Sequence, residues 1–577
     1  MSRYRSYRRR MAVTADEQNL IAVPSFDPRP LVARPSCGAR GEIVACGFGL
    51  GLIALLMCAV HIRHGGFYYD DWSVLALGRF PPPGGLLHGL WLDYGQRPGQ
   101  VLYYAALDEG LGSHAASRLA LAAAMVALEA TCLYSLLRRL GLAARHAAAI
   151  AALLLTFPFS DSVWLWGILS LTSLAIVGAL LGVILALRAL ESSGARALAL
   201  HVASLALYVA SIACYEVFAV AGCLAGLLYV RAVGFRRARL RWALDVLAIG
   251  ATLAFVRVAL PVDIATPSRT QSLAGMAAHA GSIAVQGMRL AGAAALPVAA
   301  GDVVWSWVGA ALLVAVLAAG AALRQRLPRS DTTRAELGRW LAIAGAGALV
   351  ALTAWAVYVP APDHYSPAAV GTVNRINAAA AIGIVILVYS CLVLLARMLA
   401  GLVRLPGAAA GFAATLAALA LGAGYLRQTA ADARAWDAAA ADQRHLLADL
   451  HSVLPSLPRA AILYAFDAPL EVGPSIPVIN TTIDLTSAVR MSYSNSTLVG
   501  VPVPAAASVT CGPRGPRAGG VGGPYGQAYL VDLAARRAVR LIGDAQCASR
   551  TARSPSAPLP PMLASGSRAR QQASNSL

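Results

Sequence analysis

Two adjacent carboxylates, Asp70 and Asp71, stand in the aromatic run Phe67-Tyr68-Tyr69-Asp70-Asp71-Trp72, shortly after the first long apolar stretch of the chain. Neighbouring carboxylates repel each other and demand hydration, so an apolar chain gains no stability by placing them there. The pair is therefore read as a catalytic candidate, because a carboxylate can take the proton of a hydroxyl group while that oxygen attacks. Two ionised groups side by side either hold a cation or raise one pKa. A divalent metal at Asp70 and Asp71 is thus compatible with the pattern without being required, and no other cofactor is indicated. The competing reading is a pair that caps a short interfacial helix or marks a solvated loop.

Arginine supplies the second chemical signal, since its planar fork binds two phosphate oxygens at once. Arg375, in Gly371-Thr372-Val373-Asn374-Arg375-Ile376-Asn377, precedes an apolar run where Arg is otherwise scarce, and is the first candidate for a phosphate. Arg97 is the next, with Arg257 and Arg269 weaker. An Arg at the end of an apolar run also serves as a lipid-headgroup anchor, and that reading stays open. His364 and Tyr365 share the loop of Pro362-Asp363-His364-Tyr365 and are supporting candidates, as are Asp161 and Glu216. Glu129, inside an apolar run, is costly there if charged and is read as structural.

The elements that must hold these residues are transmembrane helices. The 577 residues are 58% hydrophobic and only 13% charged, which excludes an ordinary soluble domain. The net charge of +19 comes from Arg in short clusters between apolar runs, a membrane-orientation pattern that argues against a nucleic-acid partner. A bilayer core of about 30 Å takes about 20 apolar residues, and on that measure the chain is an all-α polytopic membrane protein with about 11 spans. These fall near 43–63, 115–137, 146–159, 163–187, 197–214, 217–231, 242–262, 303–323, 340–359, 377–396 and 407–427.

Alternate connections hold the Arg clusters at 138–145, 188–196, 231–241, 324–339 and 397–404, so these face the cytoplasm under the positive-inside rule. The Asp70-Asp71 loop, Asp161, Glu216, 263–302 and 360–377 then share the opposite side. The N-terminus is placed in the cytoplasm and the C-terminus outside it. Residues 1–40 read as a disordered tail, and their basic cluster stands too far from the first apolar run for a cleaved leader. Residues 41–427 form the membrane domain and 428–548 a small extracytoplasmic α/β domain, with strands near 460–466 and 499–503. Residues 549–577 read as a second disordered tail. Cys511 and Cys547 are candidates for a disulfide if their region lies outside the cytoplasm.

Asp70-Asp71 followed by Arg97-Pro98 resembles the first external loop of GT-C glycosyltransferases, membrane enzymes that take sugars from polyprenyl-phosphate carriers. Phe157-Pro158-Phe159-Ser160-Asp161-Ser162-Val163-Trp164 is similar to the second external turn of several such families, and Ala213-Cys214-Tyr215-Glu216 to the third. The resemblance covers roughly residues 43–230 and none of the C-terminal domain. It implies a polyprenyl-phosphate sugar donor and a glycan, lipid or protein acceptor of the cell envelope, at the outer face of a bacterial plasma membrane. Asp70 or Asp71 would be the base, and Arg375 and Arg97 would hold the donor phosphate. Tyr69 suits stacking on a sugar, although an aromatic belt at a membrane interface explains it without one. A transporter or lipid flippase, and a non-catalytic envelope-assembly protein, are the rival classes. The first predicts ionisable residues at mid-membrane depth and two related halves.

Overall fold

The computed structural model describes residues 37–260, 272–297, 302–328, 332–361, 365–466, 468–473, 475–504 and 508–551. Most of both expected tails, His364 and Arg269 lie outside the described residues. Among the described residues, nine helices are long and apolar enough to cross a membrane: Arg40–His64, Ala115–Arg139, Gly167–Leu190, Gly194–Cys214, Glu216–Val233, Val303–Arg326, Thr332–Ala356, Thr372–Leu402 and Gly407–Val453. The chain is a mostly helical, multi-pass architecture with a small strand-containing C-terminal region.

Two of the expected spans are not among these nine. The run 146–159 is a 12-residue helix, Ala144–Leu155, stopped where Pro158 forces the chain out of helical geometry. The run 242–262 is the second half of the helix Phe235–Val258, whose first half is occupied by Arg236, Arg237, Arg239 and Arg241. The expected loop 263–302 contains a 23-residue helix, Leu273–Ala295. Gly292 lets its backbone lie against the first turns of Val303–Arg326, where any side chain would collide with the Ser306 carbonyl. Helix also begins at Cys37, inside the stretch read as a tail.

Three short helices, Asp70–Arg79, Gly85–Tyr94 and Pro98–Leu111, fill the connection between the first two spans. The boundary expected at 428 falls inside one uninterrupted helix of 47 residues, Gly407–Val453. From Gly424 to Pro455 the sequence has neither Gly nor Pro and is rich in alanine, so nothing stops the helix when it leaves the apolar segment. At 1.5 Å per residue it is about 70 Å long, roughly twice a bilayer core.

Beyond it the strands Ile462–Phe466 and Val499–Val503 lie where the sequence places them, paired in parallel. Ala528–Asp532 joins the other edge of Ile462–Phe466 in parallel, and Arg537–Arg540 closes that side antiparallel. The helix Thr482–Ser492 packs on this sheet and starts with a capping box between Thr481 and Asp484. Cys511 and Cys547 form a disulfide with Cα atoms 5.8 Å apart. Replacing both with Ser is expected to destabilise this region by about 2–4 kcal/mol. Limited proteolysis of the full chain should then cut within residues 508–551 faster than in the parent, and reductant should reproduce the effect.

Candidate functional site

The helix Asp70–Arg79 starts under tension. Tyr69, at its N-cap, has φ 42° and ψ −119°, a conformation that costs a non-glycine residue about 1–3 kcal/mol. Its neighbour holds it there. Tyr68 is fully buried, donates from its hydroxyl to the Trp436 carbonyl (2.8 Å), and sets its ring edge-on to Trp436 at 4.6 Å. The strained turn is thus fastened to the long helix, and the two carboxylates that follow diverge.

Asp71 faces inward, only 1% exposed, and accepts from the Tyr68 N–H at 3.1 Å. That bond ties Asp71 back to the residue before the N-cap and not to a free N–H of the helix, so the expected capping role is not what it performs. Burial pushes its carboxyl from the usual 3.8 up to about 7, against the pull of Arg118. Asp71 Oδ1 and Arg118 Nη1 are both buried without a partner. Asp70 instead is exposed, and its carboxylate takes no hydrogen bond from any described residue. Surrounding protein raises its pKa, while Arg375 and then Arg97 pull it back, so both guanidiniums lie within electrostatic reach. Asp70 and Asp71 thus differ in environment, one exposed and one buried. Among the described residues no three His, Cys, Asp or Glu gather to hold a metal ion.

Arg375 sits on the 3₁₀ turn Thr372–Asn377. One nitrogen donates to the Thr372 carbonyl (2.7 Å) and its guanidinium lies 5.6 Å from the centre of the Trp166 ring. Among the described residues it has no carboxylate at ion-pair distance. Tyr215, Tyr365 and Tyr358 surround it electrostatically, and Tyr365 stacks on Tyr358 with 6.3 Å between ring centres. Arg97 is committed elsewhere. It forms two 2.8 Å bonds to both oxygens of Glu216 and covers the Tyr215 ring at 4.6 Å, with Arg257 adding a longer contact to Glu216 at 3.4 Å. Burial disfavours its charge, but Glu216 outweighs that and holds Arg97 charged.

Asp161 does not join this cluster. It is 1% exposed and accepts from Asn374 Nδ2 at 2.7 Å, while Asn374 Oδ1 receives the Ser162 N–H at 3.2 Å. Burial, then the nearby Asp432, push its carboxyl well above the usual carboxylate range. Asn377 completes the fastening: Nδ2 donates to the Phe159 and Ala368 carbonyls, both at 2.7 Å, and Oδ1 receives the Trp355 indole N–H at 3.2 Å. Asp161 thereby fixes the turn that carries Arg375, without facing the site.

The C-terminal region forms the remaining wall. Asn480 donates to the Tyr69 hydroxyl (2.7 Å) and to Glu471 (3.0 Å), and Ser475 accepts from the Thr372 N–H at 3.0 Å. The Tyr69 ring lies 5.5 Å from Trp166, so Tyr69, Trp166 and Arg375 form one layer beside Asp70. Asp70 also raises the pKa of Asp484, after burial, to about 6. Asn374, Asn377 and Asn480 were not singled out from the sequence, where Trp166 reads as part of an aromatic belt at the membrane interface. Two amides three residues apart beside an Arg were a usable signal, whereas nothing marks Asn480. Glu129 lines a cavity of about 20 Å³ with Ser160 and Ser173, room for one water.

No protein-family model, curated protein or solved structure matches the chain.

The Asp71 carboxyl binds its proton more tightly folded than unfolded, so its contribution destabilises the fold as pH rises from about 4 to 7. Asp71→Asn keeps an acceptor for Tyr68 and should flatten the pH dependence of Tm across that window while raising Tm at its upper end. An unchanged profile would contradict the assignment. Asn374→Ala leaves Asp161 unpaired and should cost about 1–3 kcal/mol, read by thermal unfolding in detergent.

Proposed function

We propose that the chain is a GT-C-type glycosyltransferase that moves a sugar from a polyprenyl-phosphate carrier to a cell-envelope acceptor. The observation that carries this reading is one arrangement: among the described residues Asp70 has a carboxylate free of hydrogen bonds and lies within electrostatic reach of Arg375, a guanidinium without a carboxylate partner. In the reaction the acceptor oxygen bonds to the anomeric carbon while the bond from that carbon to the phosphate oxygen breaks. Asp70 takes the hydroxyl proton, and Arg375 neutralises the departing phosphate. Its raised pKa makes Asp70 a stronger base than a free carboxylate.

Arg97, paired with Glu216 on both oxygens, orients the far wall and adds positive potential without giving up its own partner. Tyr69 and Trp166 offer ring faces to the sugar, and Asn480 ties the C-terminal wall to Tyr69. The scheme needs no metal, since Arg375 supplies the positive charge for the departing phosphate. The Cys511–Cys547 disulfide suits an oxidising compartment, which supports placing the Asp70 end and the C-terminal region outside the cytoplasm of a plasma membrane.

The test is transfer from a panel of radiolabelled polyprenyl-phosphate sugars to membrane extracts. Asp70→Asn should lower kcat about 100-fold to 10,000-fold with expression and Tm unchanged, whereas Asp71→Asn should keep most activity. Arg375→Lys keeps the charge but loses the fork, and should weaken donor use more than acceptor use. No transfer from any donor, or an Asp70→Asn variant as active as its parent, would overturn the reading in favour of a transporter or a scaffold.

A further inference from the structure

A second set of charges gathers at the end of the bundle opposite Asp70. Arg145 begins the helix Ala144–Leu155, Arg339 lies in the second turn of Thr332–Ala356, and Arg397 lies near the end of Ala378–Leu402. All three act electrostatically on His146, which is buried, bonded to the Tyr389 hydroxyl at 2.7 Å and edge-on to Trp340 at 5.0 Å. Three guanidiniums from three separate helices thus converge on one spot.

Their partners do not balance them. Arg397 pairs with Glu336, and its Nε is buried without an acceptor. Arg339 donates at 2.8 Å to the Gly141 carbonyl and meets no carboxylate. Arg145 has neither ion pair nor hydrogen bond among the described residues, although it and Arg397 repel as like charges. Its guanidinium lies over Gly411 at the start of the long helix, where a side chain would displace it. Arg residues that serve only to orient a membrane protein gain nothing by converging, since separated cations in high dielectric repel less.

We propose that Arg145, Arg339 and Arg397 form a binding site for a phosphate group, that of an anionic phospholipid. The lipid source follows from position. Leu395, Leu399, Phe412 and Leu416 are exposed on the two helices beside the cluster, so acyl chains can run along them while the phosphodiester meets the guanidiniums. The site is separate from Asp70 and does not rest on the transferase reading.

The full-length chain in neutral detergent is titrated with phosphatidylglycerol, phosphatidylcholine or inorganic phosphate. Native mass spectrometry counts retained lipid, and thermal unfolding reports stabilisation. Phosphatidylglycerol should be retained and stabilising, and phosphatidylcholine neither. Arg145→Gln combined with Arg339→Gln should weaken retention about tenfold. Arg236→Gln with Arg237→Gln, exposed guanidiniums on a different helix, should leave it unchanged. Because Arg145 makes no bond among the described residues, the single variant Arg145→Gln is expected to fold and provides the same comparison should the double variant fail. Equal loss in both double variants, equal retention of the two lipids, or stabilisation by inorganic phosphate without preference between lipids would overturn the assignment.

Discussion

The bond between Asn374 and Asp161, with Asn377 beside it, is the interaction on which the site depends. Both segments it joins are irregular backbone buried at the end of a helical bundle, where amide and carbonyl groups cannot be left without partners. Asn374 satisfies the Ser162 N–H and the Asp161 carboxyl, and Asn377 satisfies the Phe159 and Ala368 carbonyls. The same bonds fix the register of two turns more than two hundred residues apart in sequence. Arg375 inherits its position from them.

Charge at this end of the molecule is apportioned by commitment. Arg97 and Glu216 neutralise each other at close range, and Arg118 is tied to Asp108 and the Gly112 carbonyl. Asp71 is buried and accepts from the Tyr68 N–H. Asp70 and Arg375 are left as the groups with capacity to spare, one an acceptor and the other a donor set. The strained backbone at Tyr69 immediately precedes Asp70, at the start of the helix that carries it.

Hydropathy revealed the helical class and most of the apolar helices, because a span is a local property of about twenty residues. It misjudged Ala144–Leu155, where Pro158 cuts an apolar run short, and it missed Leu273–Ala295, whose His279, Gln286 and Arg289 dilute an otherwise apolar helix. The change in composition at 428 looked like a domain boundary, but polarity changes there without any residue that breaks a helix. Within the site, the sequence singles out Asp70 and Arg375, and the structure brings them within electrostatic reach of each other. The sequence could not say that Asp70 and Asp71 part company. Adjacent residues on a helix point about 100° apart, so one of an acidic pair is buried and the other exposed. Asn480 was invisible for a different reason: its role exists only because a distant domain folds back onto Tyr69.

The unbroken helix Gly407–Val453 has a mechanical consequence. A domain joined by a loop can swing, but one mounted on a continuous strut, and pinned at its far side by Asn480 and Ser475, keeps its height above the bundle. Tyr69, next to Asp70, is therefore held from two directions, through Tyr68 on the strut itself and through Asn480 on the domain that the strut carries.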